Sequence, residues 1–127
     1  MSSVSNYLAV AIGSAFGGVT RYFLSVSVLS RIAQPFPLAT FIINVSGSFI
    51  LGLFLTLTLE KFNVSEPLRL AVAVGFLGAY TTFSTFEYET FSLIKTNYTM
   101  TAFLYILLSV TLGFAGVWSG IFIARKI

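Results

Sequence analysis

Four long apolar runs, residues 4–29, 38–59, 68–93 and 101–124, leave this chain few structures to choose from. Each reaches or exceeds the ~20 residues that a helix needs to cross ~30 Å of hydrocarbon. Aromatic and β-branched residues are frequent within them, but the short alternating segments of about ten residues that build a membrane β-barrel are absent. Charged residues make up 9% of the chain, where a soluble domain carries about a quarter. The expected fold class is all-α, embedded in a membrane, with four transmembrane helices per chain.

The connections between runs are short and carry recognisable breakers. Pro35 and Pro37 divide the first run from the second. Ser65, Glu66 and Pro67 read as a helix start, with a hydroxyl cap, an acid in the first turn and an early proline. Residues 95–98 make the third connection. Residues 1–127 are therefore expected to form one four-helix transmembrane domain. The N-terminal residues lack the basic region and cleavage site of a signal peptide, so the first run is expected to stay in the mature protein. An even number of spans puts both termini on one side with Lys61, Arg69, Arg125 and Lys126, opposite Arg31 and Lys95. That bias is weak. It is compatible with cytoplasmic termini or with insertion in both orientations.

Several function classes drop out early. The chain has no histidine and no cysteine, which removes the commonest general base and any thiolate metal site. A net charge of +3 with singly scattered basic residues gives a nucleic-acid partner no footing. Glu87 and Glu89, late in the third run, come with no nucleophile–base set, so an enzyme is not expected. Small residues recur at packing distance in Gly13…Gly17, Ser14…Gly18, Ser48…Gly52 and Gly116…Gly120, a pattern that lets helix backbones approach closely.

The third run contains a stretch that ordinary helix filling does not call for. Residues 75–86 hold Gly75, Gly78, the hydroxyl cluster Thr81, Thr82, Ser84 and Thr85, and the aromatic pair Phe83 and Phe86. Glycine and clustered hydroxyls loosen a helix, and backbone unwound at membrane depth must be buried in protein or line a cavity. Taking Pro67 and Lys95 as limits puts Thr81 at the middle of the span. We expect broken backbone over residues 75–81 and a helix restarting at Thr81–Thr82. Freed carbonyls near Gly78 and Thr81 could coordinate a cation, as unwound segments do in transporters. The restarted helix would aim its positive dipole end at the midplane. Phe83 and Phe86 either pack as ordinary apolar side chains in a chain rich in phenylalanine or, turned edge-on, stabilise a small anion without a full positive charge.

Other polar groups within the runs also need partners. Arg21 either snorkels to the interface or supplies positive potential at the mouth of an anion path. Thr40 and Asn44 share a helix face, either as an interhelical hydrogen-bonding pair or as a pore lining. Tyr105 and Ser109 repeat that spacing on the fourth run. Glu89 lies on the Phe86 side of its helix, free to snorkel or to pair with Arg21 or Lys95.

Taken together, Gly17-Gly18-x-x-Arg21-Tyr22, Thr40-x-x-x-Asn44-x-x-Gly47 and Gly75-Phe76-x-Gly78-x-x-Thr81-Thr82-Phe83-Ser84-Thr85-Phe86 resemble the Fluc family of small bacterial fluoride channels, over essentially the whole chain. The resemblance implies an antiparallel homodimer of dual topology in the cytoplasmic membrane. Such a dimer passes fluoride passively through two pores between its subunits. It further implies that Phe83 and Phe86 line the pore, with Thr40, Asn44, Tyr105 and Ser109 opposite and Ser84 and Thr85 beside them. By the same resemblance, Gly78 and Thr81 hold a structural sodium ion through backbone carbonyls, Arg21 is a vestibule arginine, and Glu89 is the acid following the phenylalanine pair. Glu87 stands where members of that family often carry a small hydroxyl residue, and Gly113 where some carry serine. Two other classes compete. A small dual-topology multidrug exporter depends on a carboxylate in its first span, and residues 4–29 contain none. A non-transporting membrane assembly subunit gives no reason for the hydroxyl-lined break.

Overall fold

The structure, a computed structural model, describes residues 3–127. Regular structure among them is all helical, without strands. In chain order the α-helices are α1 (Val4–Ser25), α2 (Leu38–Thr56), α3 (Glu66–Leu70), α4 (Leu77–Tyr80), α5 (Phe83–Lys95) and α6 (Thr99–Lys126). Wider π-helical turns, Leu57–Lys61 and Ala71–Phe76, continue α2 and join α3 to α4. Among the described residues, three helices are long and apolar enough to cross a membrane: Val4–Ser25, Leu38–Lys61 and Thr99–Lys126. The apolar run at residues 68–93 is divided between the α3–α4 stretch and α5.

Two helix pairs carry the packing. α2 lies along α6, and α1 lies along the Ala71–Phe76 turn and α4. Both rely on missing side chains. A Cβ added to Gly13 or Gly17 would run into the Ala71 or Phe76 carbonyl oxygen, and one added to Gly75 would meet the Val10 carbonyl at 2.7 Å. On the other pair, a Cβ added to Gly52 would meet the Val117 carbonyl at 2.5 Å, and one added to Gly120 would run into the Phe49 carbonyl. Such close approach supplies van der Waals packing where lipid gives no hydrophobic drive between helices.

Glycine at position 75 thus serves packing rather than unwinding. The expectation of broken backbone from residue 75 onward needs correcting, because residues 75–80 are helical. The extended residues are Thr81 (φ −83°, ψ 158°) and Thr82 (φ −150°, ψ 117°). The new helix starts at Phe83, with Thr82 as its cap: the Thr82 hydroxyl accepts from the Thr85 backbone N–H at 3.1 Å. Ser65 does stand at the cap position of α3, but its hydroxyl makes no capping bond.

The end of α2 and the end of α6 are tied together. Arg125 forms an ion pair with Glu60 at 2.8 Å, and Lys61 Nζ donates to the Arg125 carbonyl at 3.2 Å. These basic residues therefore share one end of the molecule, as the charge reading expects.

Candidate functional site

The interruption at Thr81–Thr82 frees backbone groups, and side chains from distant elements take up some of them. Asn44, on α2, pairs with Thr82 as a strand neighbour would. Its Nδ2 donates to the Thr82 carbonyl at 3.0 Å, and its Oδ1 accepts from the Thr82 N–H at 2.8 Å. Arg21 does not snorkel outward along α1. Its Nε donates to the Ala79 carbonyl at 3.1 Å, one of the acceptors left over at the end of α4. Among the described residues, the carbonyls of Gly78, Tyr80 and Thr81 and the N–H groups of Phe83 and Ser84 have no hydrogen-bond partner. The Thr81 hydroxyl bonds back to the Leu77 carbonyl at 2.9 Å, so its main-chain oxygen is the group on offer.

A cavity of about 340 Å³ collects most of these groups. Asn44, Gly78, Thr81, Phe83, Phe86 and Ser109 all line it. The Ser109 hydroxyl is buried and has no hydrogen-bond partner. Such buried polar atoms are uncommon and call for an explanation. Asn44 uses one of its two amide hydrogens on Thr82 and keeps the other. Gly78 is exposed, and an added Cβ there would meet nothing closer than the Ala73 carbonyl at 4.0 Å, so packing within the chain does not account for this glycine.

Thr40, Thr85 and Glu89 belong to a second cavity, of about 480 Å³, bounded also by Phe36 and the loop at residues 34–37. Between the cavities runs a row of rings. Phe83 and Phe86 have centroids 6.1 Å apart, Phe86 meets Tyr105 edge-to-face at 5.0 Å, and Tyr105 meets Phe36 edge-to-face at 5.3 Å. Phe83 is 74% exposed, whereas Phe86 is 8% exposed and Tyr105 fully buried. The Tyr105 hydroxyl donates to Glu89 Oε1 at 3.4 Å, and Thr40 stands beside both. Glu89 pairs with neither Arg21 nor Lys95.

The sequence-predicted residues thus divide. One group gathers at the break, a second meets around Tyr105, and Arg21 reaches the break from behind. Ser84 is exposed and lines neither cavity. Phe36 escaped the sequence reading because it lies in a loop between prolines, where no periodicity marks it. Its only signal was an aromatic residue set among breakers.

Comparison with known proteins places the chain in a family. The family described as CrcB-like protein, Camphor Resistance (CrcB), matches residues 8–121. A protein of Acidobacterium capsulatum named fluoride-specific ion channel FluC is 45% identical, over 95% of this chain and 97% of its own length. Proteins of the same name from Solibacter usitatus and Geobacter sulfurreducens are 43% and 41% identical, covering 94% and 98% of this chain and 98% and 100% of their own. With its long apolar helices the chain is a multi-pass membrane protein, and it belongs to the CrcB-like family.

Proposed function

We propose that this protein is a fluoride-selective channel. It works as an antiparallel homodimer of dual topology in the cytoplasmic membrane, with two pores between the copies. It is not an enzyme, since its family relatives are named as ion channels. The observation that carries the reading is the buried Ser109 hydroxyl without a protein partner. It lines one cavity with the Phe83 and Phe86 rings and the spare amide hydrogen of Asn44. In this reading residues 66–95 make a fourth crossing in two halves, completing a single four-helix domain.

The chemistry suits a small, strongly hydrated anion. Ring edges carry partial positive charge. The unpaired N–H groups of Phe83 and Ser84 begin α5 and carry the positive end of its dipole. Hydroxyl and amide donors from Ser109 and Asn44 replace water. None of these bears a full charge, so the anion is stabilised without being trapped. Thr85, Thr40, Tyr105 and Glu89 continue the polar path into the second cavity. Arg21, bonded to the Ala79 carbonyl, holds positive potential behind the break.

Exposed Phe83 and the unpaired carbonyls of Gly78 and Thr81 cannot be left facing lipid at membrane depth. A second copy related by a two-fold axis in the membrane plane would cover them. It would also bring two pairs of carbonyls together around a sodium ion, whose charge offsets that of the nearby anions. The residues fit: both oxygens lack partners among the described residues, and Gly78 has no side chain to bar approach. Replacing sodium with N-methylglucamine throughout purification is expected to lower fluoride flux and weaken dimerisation together. Unchanged flux and assembly would remove sodium from the account. Phe83→Ile is expected to slow fluoride efflux from proteoliposomes by roughly tenfold, the size of a lost aromatic contact, while the dimer persists on size-exclusion chromatography. Wild-type rates from this variant would move the ring out of the pathway.

A further inference from the structure

At the opposite end of α2 from Thr40, residues 58–64 and Arg69 enclose a polar cavity of about 360 Å³. Its lining holds two cations, Lys61 and Arg69, and one acid, Glu60. That acid is already engaged, since Arg125 donates to both its oxygens, at 2.8 and 3.1 Å. The next acid, Glu66, accepts from Asn6 Nδ2 at 3.2 Å. Lys61 gives one hydrogen to the Arg125 carbonyl and keeps two. The half-buried Arg69 guanidinium and the backbone N–H groups of Asn63 and Val64 have no acceptor among the described residues. Leu59 and Phe62, which also line the cavity, are largely exposed.

Cations in excess of acids at the end of a membrane helix, bordered by exposed apolar side chains, suit a ligand with an anionic head and hydrocarbon tails. We propose that this cavity binds the phosphate of an anionic phospholipid. Lys61 and Arg69 hold the phosphate, and Leu59 and Phe62 lie against the acyl chains. A choline headgroup brings an ammonium alongside its phosphate, which a lining of net positive charge disfavours, the more so because Glu60 is held by Arg125. The cavity therefore selects anionic over zwitterionic lipid. This inference does not depend on ion permeation.

Native mass spectrometry of the purified protein, offered equal amounts of palmitoyl-oleoyl phosphatidylglycerol and phosphatidylcholine, tests it. Wild type is expected to retain the phosphatidylglycerol in preference, by roughly 25-fold, about fivefold for each of two basic residues at the interface. Lys61→Gln with Arg69→Gln is expected to abolish the preference, and Arg69→Gln alone to reduce it by roughly fivefold. Arg31→Gln, in the loop preceding α2, is expected to leave it intact. Equal retention of the two lipids by wild type, or an undiminished preference in both the single and the double variant, would overturn the proposal. So would full displacement of the phosphatidylglycerol by millimolar inorganic phosphate, which would mark a pocket for free anions.

Discussion

Gly17→Val is expected to yield little or no folded protein, whereas Gly18→Ala, one position along the same helix, is expected to fold as wild type. A side chain at position 17 is driven into the Phe76 main chain, whose carbonyl carbon lies 2.8 Å from the added Cβ. A backbone neighbour cannot rotate away as a side chain can. α1 must therefore separate from the stretch that leads into the break. Overpacking of this kind costs ~1–3 kcal/mol even where side chains can shift, and here the loss is expected at or above the top of that range. At Gly18 an added Cβ has nothing within 4 Å. Detergent-solubilised yield and thermal midpoint by size-exclusion chromatography measure both. Normal yield and stability for Gly17→Val would mean that α1 does not rest on Phe76.

The second large effect is expected at Asn44. In Asn44→Ala both the Thr82 N–H and the Thr82 carbonyl lose their partner. Each buried group left unpaired costs ~1–3 kcal/mol. The extended residues at the break then have nothing to hold their direction, so fluoride flux is expected to fall by more than about tenfold, one decade per ~1.4 kcal/mol. Asn44→Asp keeps an acceptor for the Thr82 N–H but sets a second oxygen against the Thr82 carbonyl. It is expected to lose flux as severely while retaining more of the thermal stability. Flux near wild type in Asn44→Ala would show that the break is held by other contacts.

These two positions mark the boundary of what the sequence could say. The apolar runs, the hydroxyl cluster and the placement of an interruption at Thr81 were readable, because span length and unsatisfied backbone are properties of a single segment. The role of Gly75 was not. A glycine that loosens a helix and one that admits a neighbouring backbone look identical in sequence, and only the Val10 carbonyl at 2.7 Å from an added Cβ decides between them. The carboxamide of Asn44 was legible as a polar group needing a partner. That its partner is the main chain of Thr82 depends on how α2 lies against the break, which no local pattern records. Arg21 is the same case, since its bond to the Ala79 carbonyl joins elements far apart in the chain. The division of the polar residues between two cavities, with Tyr105 and Phe86 between them, likewise follows from helix packing rather than residue spacing.

The channel reading itself rests on one measurement above the others. Purified protein reconstituted into liposomes and assayed with ion-selective electrodes should release fluoride rapidly and chloride at no more than the rate of protein-free vesicles. Fluoride release no faster than that of protein-free vesicles, from protein that is folded and assembled, or equal release of fluoride and chloride, would contradict it.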